Sequence, residues 1–209
     1  MIKAVLFDAD GVLVDACELH YVAFNRALAT MGWNISPQEH TQTYNGLPTQ
    51  KKLDLLTETK GFPEDWHKAV HGLKQEFTWQ AIDDCLLYDC EKRQLLLELK
   101  EQGIKIAVCS NSLHKSLQKM LASIGILDLV DLILGNDDVK APKPDPEMYL
   151  AAAKMLSVDI AQCAIIEDSP VGLQAAYASK PGQVIAVQGP REVNITLLKQ
   201  IRTAMKEAA

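Results

Sequence analysis

The stretch Ile2-Lys3-Ala4-Val5-Leu6-Phe7, followed at once by Asp8-Ala9-Asp10-Gly11, narrows most what this chain can become. A short, almost wholly apolar run with β-branched residues at 2 and 5 reads as a strand buried on both faces, the habit of a parallel sheet. It ends in two carboxylates one residue apart, and Gly11 then lets the chain turn sharply. Open α/β sheets place their active sites beyond the carboxyl ends of the strands, which is where Asp8 and Asp10 fall. Two acids this close repel unless a cation or a shared proton relieves them. The bland alternative is a turn whose acids only cap backbone amides.

Residues 15–84 carry helical patterning and no convincing strand. Leu19, Val22, Ala23, Ala27, Leu28 and Met31 recur at helical spacing, and Gly32 closes that helix. Ser36-Pro37 with Glu39 is a helix start, followed by a turn at Tyr44-Asn45-Gly46. Pro48 opens a helix to about Lys60 with Leu53, Leu55 and Leu56 inward, and another runs from Glu64 to about Trp79. Beyond residue 85 strands and helices alternate. Strands are expected at Ile104–Cys109, Leu129–Leu134, Cys163–Ile166 and Val184–Val187. Helices are expected at Glu91–Gln102, Leu113–Ile124, Pro146–Leu156, Val171–Ala178 and from about Val193. Such alternation implies a Rossmann-like parallel sheet between two helical layers. The fold class is therefore α/β: a three-layer core from 1–14 and 85–209, with an all-helical domain, 15–84, inserted after the first strand.

Four groups of polar residues follow apolar strands or close a loop beside them: Asp8 with Asp10, Ser110-Asn111-Ser112, Lys143 in Ala141-Pro142-Lys143-Pro144-Asp145-Pro146, and Glu167-Asp168. Taken singly, Ser112 reads as a helix cap, Lys143 as a solvated charge, and Asp168-Ser169-Pro170 as an ordinary helix start. Taken together, at one sheet edge, they suit phosphoryl transfer. One carboxylate can attack phosphorus and a second can protonate the leaving alkoxide. Mg²⁺ takes one or two carboxylates plus a substrate phosphate, and Lys143, Ser110 and nearby backbone N–H groups can hold the remaining phosphate oxygens.

Composition bounds the partners. A formal charge of −6, without a dense basic run, argues against nucleic acid, and no apolar run approaches transmembrane length. Five cysteines without a C-x-x-C pair suit a reduced intracellular protein, with Cys109 and Cys163 as small core residues. The chain opens on a core strand with no cationic leader, so a cytoplasmic location is expected. A monomer is expected, with a dimer as the other option.

These motifs, in this order, resemble the haloacid dehalogenase-like phosphatase superfamily, in the branch with a helical cap after the first motif. The chain is similar there to sugar-phosphate phosphatases and to β-phosphoglucomutase. Asp8-Ala9-Asp10-Gly11-Val12 stands for the family's first motif. The resemblance implies Asp8 as nucleophile and metal ligand, and Asp10 as acid/base with its backbone carbonyl on the metal. It implies phosphate contact by Ser110 and Asn111, a phosphate-holding Lys143, and Asp168 as a ligand of Mg²⁺ with Glu167 as ligand or outer-shell partner. His20 and Gly46 would approach a small phosphorylated metabolite from the cap, although His20 also reads as a half-exposed helix residue. Three positions depart from the pattern: Ala16 at the hinge, Thr49 where mutase-like relatives carry a basic residue, and Asp89-Cys90 where a Pro-Gly pair is usual. The implied activity is phosphomonoester hydrolysis through an aspartyl phosphate. The alternatives are a hexose-phosphate mutase and a non-catalytic phosphoester-binding protein.

Overall fold

The computed structural model describes residues 1–201, the side chain of Cys17 excepted. Its elements in chain order begin with β1 (Ala4–Phe7), α1 (Cys17–Ala29), α2 (Thr49–Lys60) and α3 (His67–Cys85). They continue with α4 (Cys90–Glu101), β2 (Lys105–Cys109), α5 (His114–Ser123) and β3 (Leu132–Leu134). The last are α6 (Glu147–Met155), β4 (Cys163–Glu167), α7 (Pro170–Ser179) and β5 (Gln183–Ala186). Two compact units result, one of Met1–Asp15 with the described residues from Leu87 on, the other Ala16–Leu86.

In the first unit five strands form one parallel sheet in the order β3-β2-β1-β4-β5. The first strand in sequence is thus the central one, and every residue of β1 is buried. Val5 pairs with Ile106 on one side and Ala164 on the other, so the ends of β1, β2 and β4 are level. One sheet face, through Ala4, Leu6, Ala107, Cys109 and Ile165, packs on Met148, Tyr149, Ala152, Ala175 and Ala176 of α6 and α7. The alanines let these helices lie close to the sheet. Burial pushes the Cys109 thiol up to about 12 and the Cys163 thiol up to about 11, which leaves both as inert core groups.

Three expectations for this unit change. The strand expected at Leu129–Leu134 is only Leu132–Leu134, because Leu127–Leu129 forms a helical turn and Asp131 engages β2 through its side chain, accepting from Ile106 N–H at 2.8 Å. Ser112 does not cap α5, which starts after Leu113 without a side-chain cap. The last helix starts at residue 197 rather than near Val193, and its expected continuation past residue 201 lies outside the described residues. Asp89 caps α4 by accepting from Lys92 N–H.

The second unit is helical throughout. Its core gathers Phe24, Ala27, Leu28, Ile35, Tyr44, Leu53, Leu56, Phe62 and Val70. Ser36 and Glu39 form the expected capping box. One inward assignment fails: Leu55 is only half-buried, while Lys52 of the same helix is buried, and in α1 Val22 is 37% exposed. The helix expected to stop near Trp79 starts at His67, after a short turn at Glu64–Trp66, and reaches Cys85. No described helix is long and apolar enough to cross a membrane.

Candidate active site

Extended backbone carries β1 to its last residue, and Asp8 N–H still donates to the Ile166 carbonyl at 3.0 Å, so the first acid is held by the sheet itself. The chain then coils tightly. The Ala9 carbonyl accepts from Leu13 and Val14 N–H, and Gly11 N–H donates back to Val14 O at 2.7 Å. Gly11 has φ +86°, and a Cβ there would stand 2.0 Å from Asp168 Oδ2. It therefore serves the turn and also leaves room for a carboxylate from β4.

The four groups meet. Lys143 Nζ lies 2.7 Å from Asp8 Oδ1 and 2.6 Å from Glu167 Oε1, all three residues buried. Burial works against the charge on Lys143, but the Asp8 and Glu167 carboxylates outweigh it and hold its pKa well above the ordinary lysine value. Burial drives the Asp8 carboxyl well above the usual range, with Lys143 pulling it back and Glu167 and Asp10 pushing it further. Ser110 and Ser112 hydroxyls both donate to Asp10 Oδ2, at 3.0 and 2.7 Å. Asn111 clasps the lysine loop: its Nδ2 donates to the Lys143 carbonyl at 3.2 Å and its Oδ1 accepts from Lys143 N–H at 3.1 Å. These two bonds tie Asn111, the residue expected beside the substrate phosphate, to the backbone of the lysine loop.

Glu167 is wholly buried and densely bonded. Its Oε1 accepts from Lys143 and from the Tyr149 hydroxyl, and its Oε2 accepts from Asp168 N–H, Ser169 N–H and Ser169 Oγ. Gly172 makes this possible, since a Cβ there would stand 1.7 Å from Glu167 Oε1. Ser169 also caps α7, as expected.

Asp8, Glu167 and Asp168 each offer an oxygen, and these atoms lie within 4.8 Å of one another. Asp168 Oδ1 is buried without a hydrogen-bond partner, and its carboxyl is pushed up to about 6 by burial and then by the charges of Glu167 and Asp10. An orphaned hard oxygen among crowded acids fits a divalent cation such as Mg²⁺. Tyr149 and Gly172 were not singled out as site residues by the sequence. A tyrosine at a buried helical position, and a glycine inside a helix, carry no local sign of a partner distant in sequence.

The remaining candidates belong to the helical unit. His20 Nδ1 lies 3.2 Å from Lys74 Nζ, and Gly46 takes φ +76° with open space at its Cβ position.

Comparison with known proteins follows the same lines. A family model described as haloacid dehalogenase-like hydrolase matches residues 5–186. A phosphorylated carbohydrates phosphatase of Thermotoga maritima is 29% identical over 180 residues, covering 85% of this chain and 81% of that protein. A haloacid dehalogenase-like hydrolase domain-containing protein of Arabidopsis thaliana is 29% identical over 210 residues, covering 84% of this chain and 65% of its own length. Among solved structures, β-phosphoglucomutase from Clostridium difficile superposes with a TM-score of 0.83 at 25% identity, over 100% of this chain and 99% of that one.

Proposed function

The chain belongs to the haloacid dehalogenase-like hydrolase family and is an enzyme of its phosphatase kind, and on that premise we propose that it is a Mg²⁺-dependent phosphomonoester hydrolase of a small sugar or polyol phosphate. The observation that carries this reading is Asp8, buried at the end of the central strand, paired with Lys143 and beside a second acid and a cation-suited cluster.

In this reading an Asp8 carboxylate oxygen attacks phosphorus, and its O–P bond forms as the bond to the leaving alkoxide breaks. Asp10, fixed by two serine hydroxyls, gives that alkoxide its proton. Water then attacks the acyl phosphate, Asp10 accepts its proton, and inorganic phosphate leaves with Asp8 restored. Lys143 orients Asp8 and holds a non-bridging oxygen, aided by the Ser110 hydroxyl. Asp8, Asp168 and the Asp10 backbone carbonyl would hold Mg²⁺, whose charge lets acids and phosphate share one site. Glu167 is assigned behind them, because its five accepted hydrogen bonds exceed the roughly four lone-pair directions of a carboxylate. The sheet unit is the catalytic core, and the helical unit is the cap that selects the substrate. The Thermotoga relative, named for phosphorylated carbohydrates, supports the substrate class.

The test is phosphate release from a panel of phosphorylated metabolites, with Mg²⁺ and with chelator, beside Asp8→Asn. Metal-dependent release that disappears in the variant is expected. Release that survives Asp8→Asn or chelation would overturn the mechanism. One observation favours keeping a mutase as second reading: Lys52, one helical turn beyond Thr49, is a buried cation of the cap. Bisphosphate-dependent isomerisation of a hexose phosphate would decide for it.

A further inference from the structure

Tyr149 has no part in the proposed chemistry, yet it is among the largest fully buried side chains of the protein. Its helix, α6, follows the Lys143 loop directly, and it meets the Lys143–Glu167 pair in two ways. The ring backs the ammonium, with Nζ 4.8 Å from its centroid. The hydroxyl donates at 2.8 Å to Glu167 Oε1, the same oxygen that accepts from Lys143 at 2.6 Å. Burial above all keeps this phenol protonated, so it can only be the donor there.

Lys143 is shared between two carboxylates, Asp8 and Glu167. A carboxylate oxygen that already serves another donor draws less strongly on the ammonium, since charge-assisted bonds to one oxygen compete. We propose that Tyr149 is a positioning residue: by occupying Glu167 Oε1 and backing the ammonium, it keeps Lys143 directed at Asp8 rather than collapsed onto Glu167. This rests on the assignment of Asp8 and Lys143 to phosphoryl transfer. Packing alone would be served equally by phenylalanine, which has the same ring and lacks the hydroxyl.

The experiment is Tyr149→Phe in the full chain, with three readouts: kcat on a substrate found in the panel, affinity for inorganic phosphate by calorimetry with Mg²⁺ present, and thermal midpoint. The expected result is a fall of about five- to tenfold in both kcat and phosphate affinity, the share of one charge-assisted hydrogen bond felt indirectly. In a Glu167→Gln background the same change should alter phosphate affinity by less than about twofold, because the hydroxyl acts through that carboxylate. Phosphate affinity and kcat both within twofold of the parent would overturn the proposal. So would a lowered midpoint with unchanged phosphate affinity, which is the mark of a purely structural tyrosine. A parent protein that hydrolyses nothing in the panel defeats the hydrolase reading instead, while phosphate affinity still reports on Tyr149.

Discussion

Lys143 of the sheet unit and Lys52 of the helical unit are equally buried, each 4% exposed, yet they keep different company. Lys143 lies between two carboxylates within hydrogen-bond reach. Lys52 has its Nζ 5.9 Å from the centroid of the Phe24 ring and stands close enough to His40 to disfavour a proton there. Among the described residues of the helical unit, the buried histidine and lysine side chains are His40, Lys52 and Lys74, and no aspartate or glutamate is buried with them. His40 is held down to about 4 by burial first and then by Lys52, His20 and Lys74. The sheet unit sets its buried lysine between buried carboxylates, whereas the buried histidine and lysines of the helical unit lie close to one another. Under the proposed function, that difference keeps the charged machinery of the reaction within the sheet unit.

The comparison is broken most easily at its largest expected effect. Asp8→Asn should lower phosphate release at least about 10⁴-fold, as loss of a nucleophile does. In the helical unit, His20→Asn should act chiefly on KM and leave kcat within about tenfold. Steady-state kinetics of both variants decide, and equal losses of kcat would end the division of labour.

Glycine sharpens it. Gly172→Ala places a methyl group on Glu167 and should destabilise the protein by about 3 kcal/mol and depress turnover. Gly72, inside α3, has nothing within 4 Å of its Cβ position, so Gly72→Ala should stabilise by about 1 kcal/mol and leave turnover alone. Denaturant midpoints with the same kinetic assay check both signs.

The two units should also respond oppositely to pH. Asp168, raised to about 6, binds more protons folded than unfolded, so without metal its contribution to stability is lost as pH rises from about 4 to 6. His40, lowered to about 4, binds fewer protons folded, so its contribution is present above the ordinary histidine value and lost as pH falls from 6.5 toward 4. In chelator, Asp168→Asn should remove a loss of about 1 kcal/mol at neutral pH, after allowance for partial solvent screening. His40→Gln should remove an acid loss of about 2 kcal/mol. Thermal midpoints between pH 4 and 7 read both, and slopes unchanged in the variants would refute them.

The smallest effect separates two helix-capping serines. Ser36→Ala and Ser169→Ala should each destabilise by about 1 kcal/mol. Only Ser169→Ala should also lower kcat several-fold, because Ser169 donates to Glu167.

What the sequence disclosed differs between the units for physical reasons. Strands buried on both faces read as apolar runs, so β1, β2 and β4 were legible, and with them the strand-end groups Asp8, Ser110 and Glu167. Lys143 was legible only as one of a set, because a lysine among prolines gives no sign of burial. The bond from Asn111 to the Lys143 backbone and that from Tyr149 to Glu167 join separate segments, and a linear pattern does not encode them. In the helical unit apolar spacing marked α1 and α2 but misplaced Leu55 and gave no sign that Lys52 is buried. The long stem of a lysine can be buried like an apolar side chain, and a small helical unit leaves part of each apolar stripe uncovered.

The fit of Glu167 against Gly172 has a consequence for how this chain can drift. While the carboxylate is present, any side chain at 172 collides with it, so mutations at that position are purged first. Once Glu167 shortens, the space opens and position 172 becomes permissive. The two sites are therefore epistatic with a fixed order: the acid can be lost before the glycine, but not after it. A descendant that retains Glu167 has kept its glycine, and one that has replaced the glycine records an earlier loss of the acid.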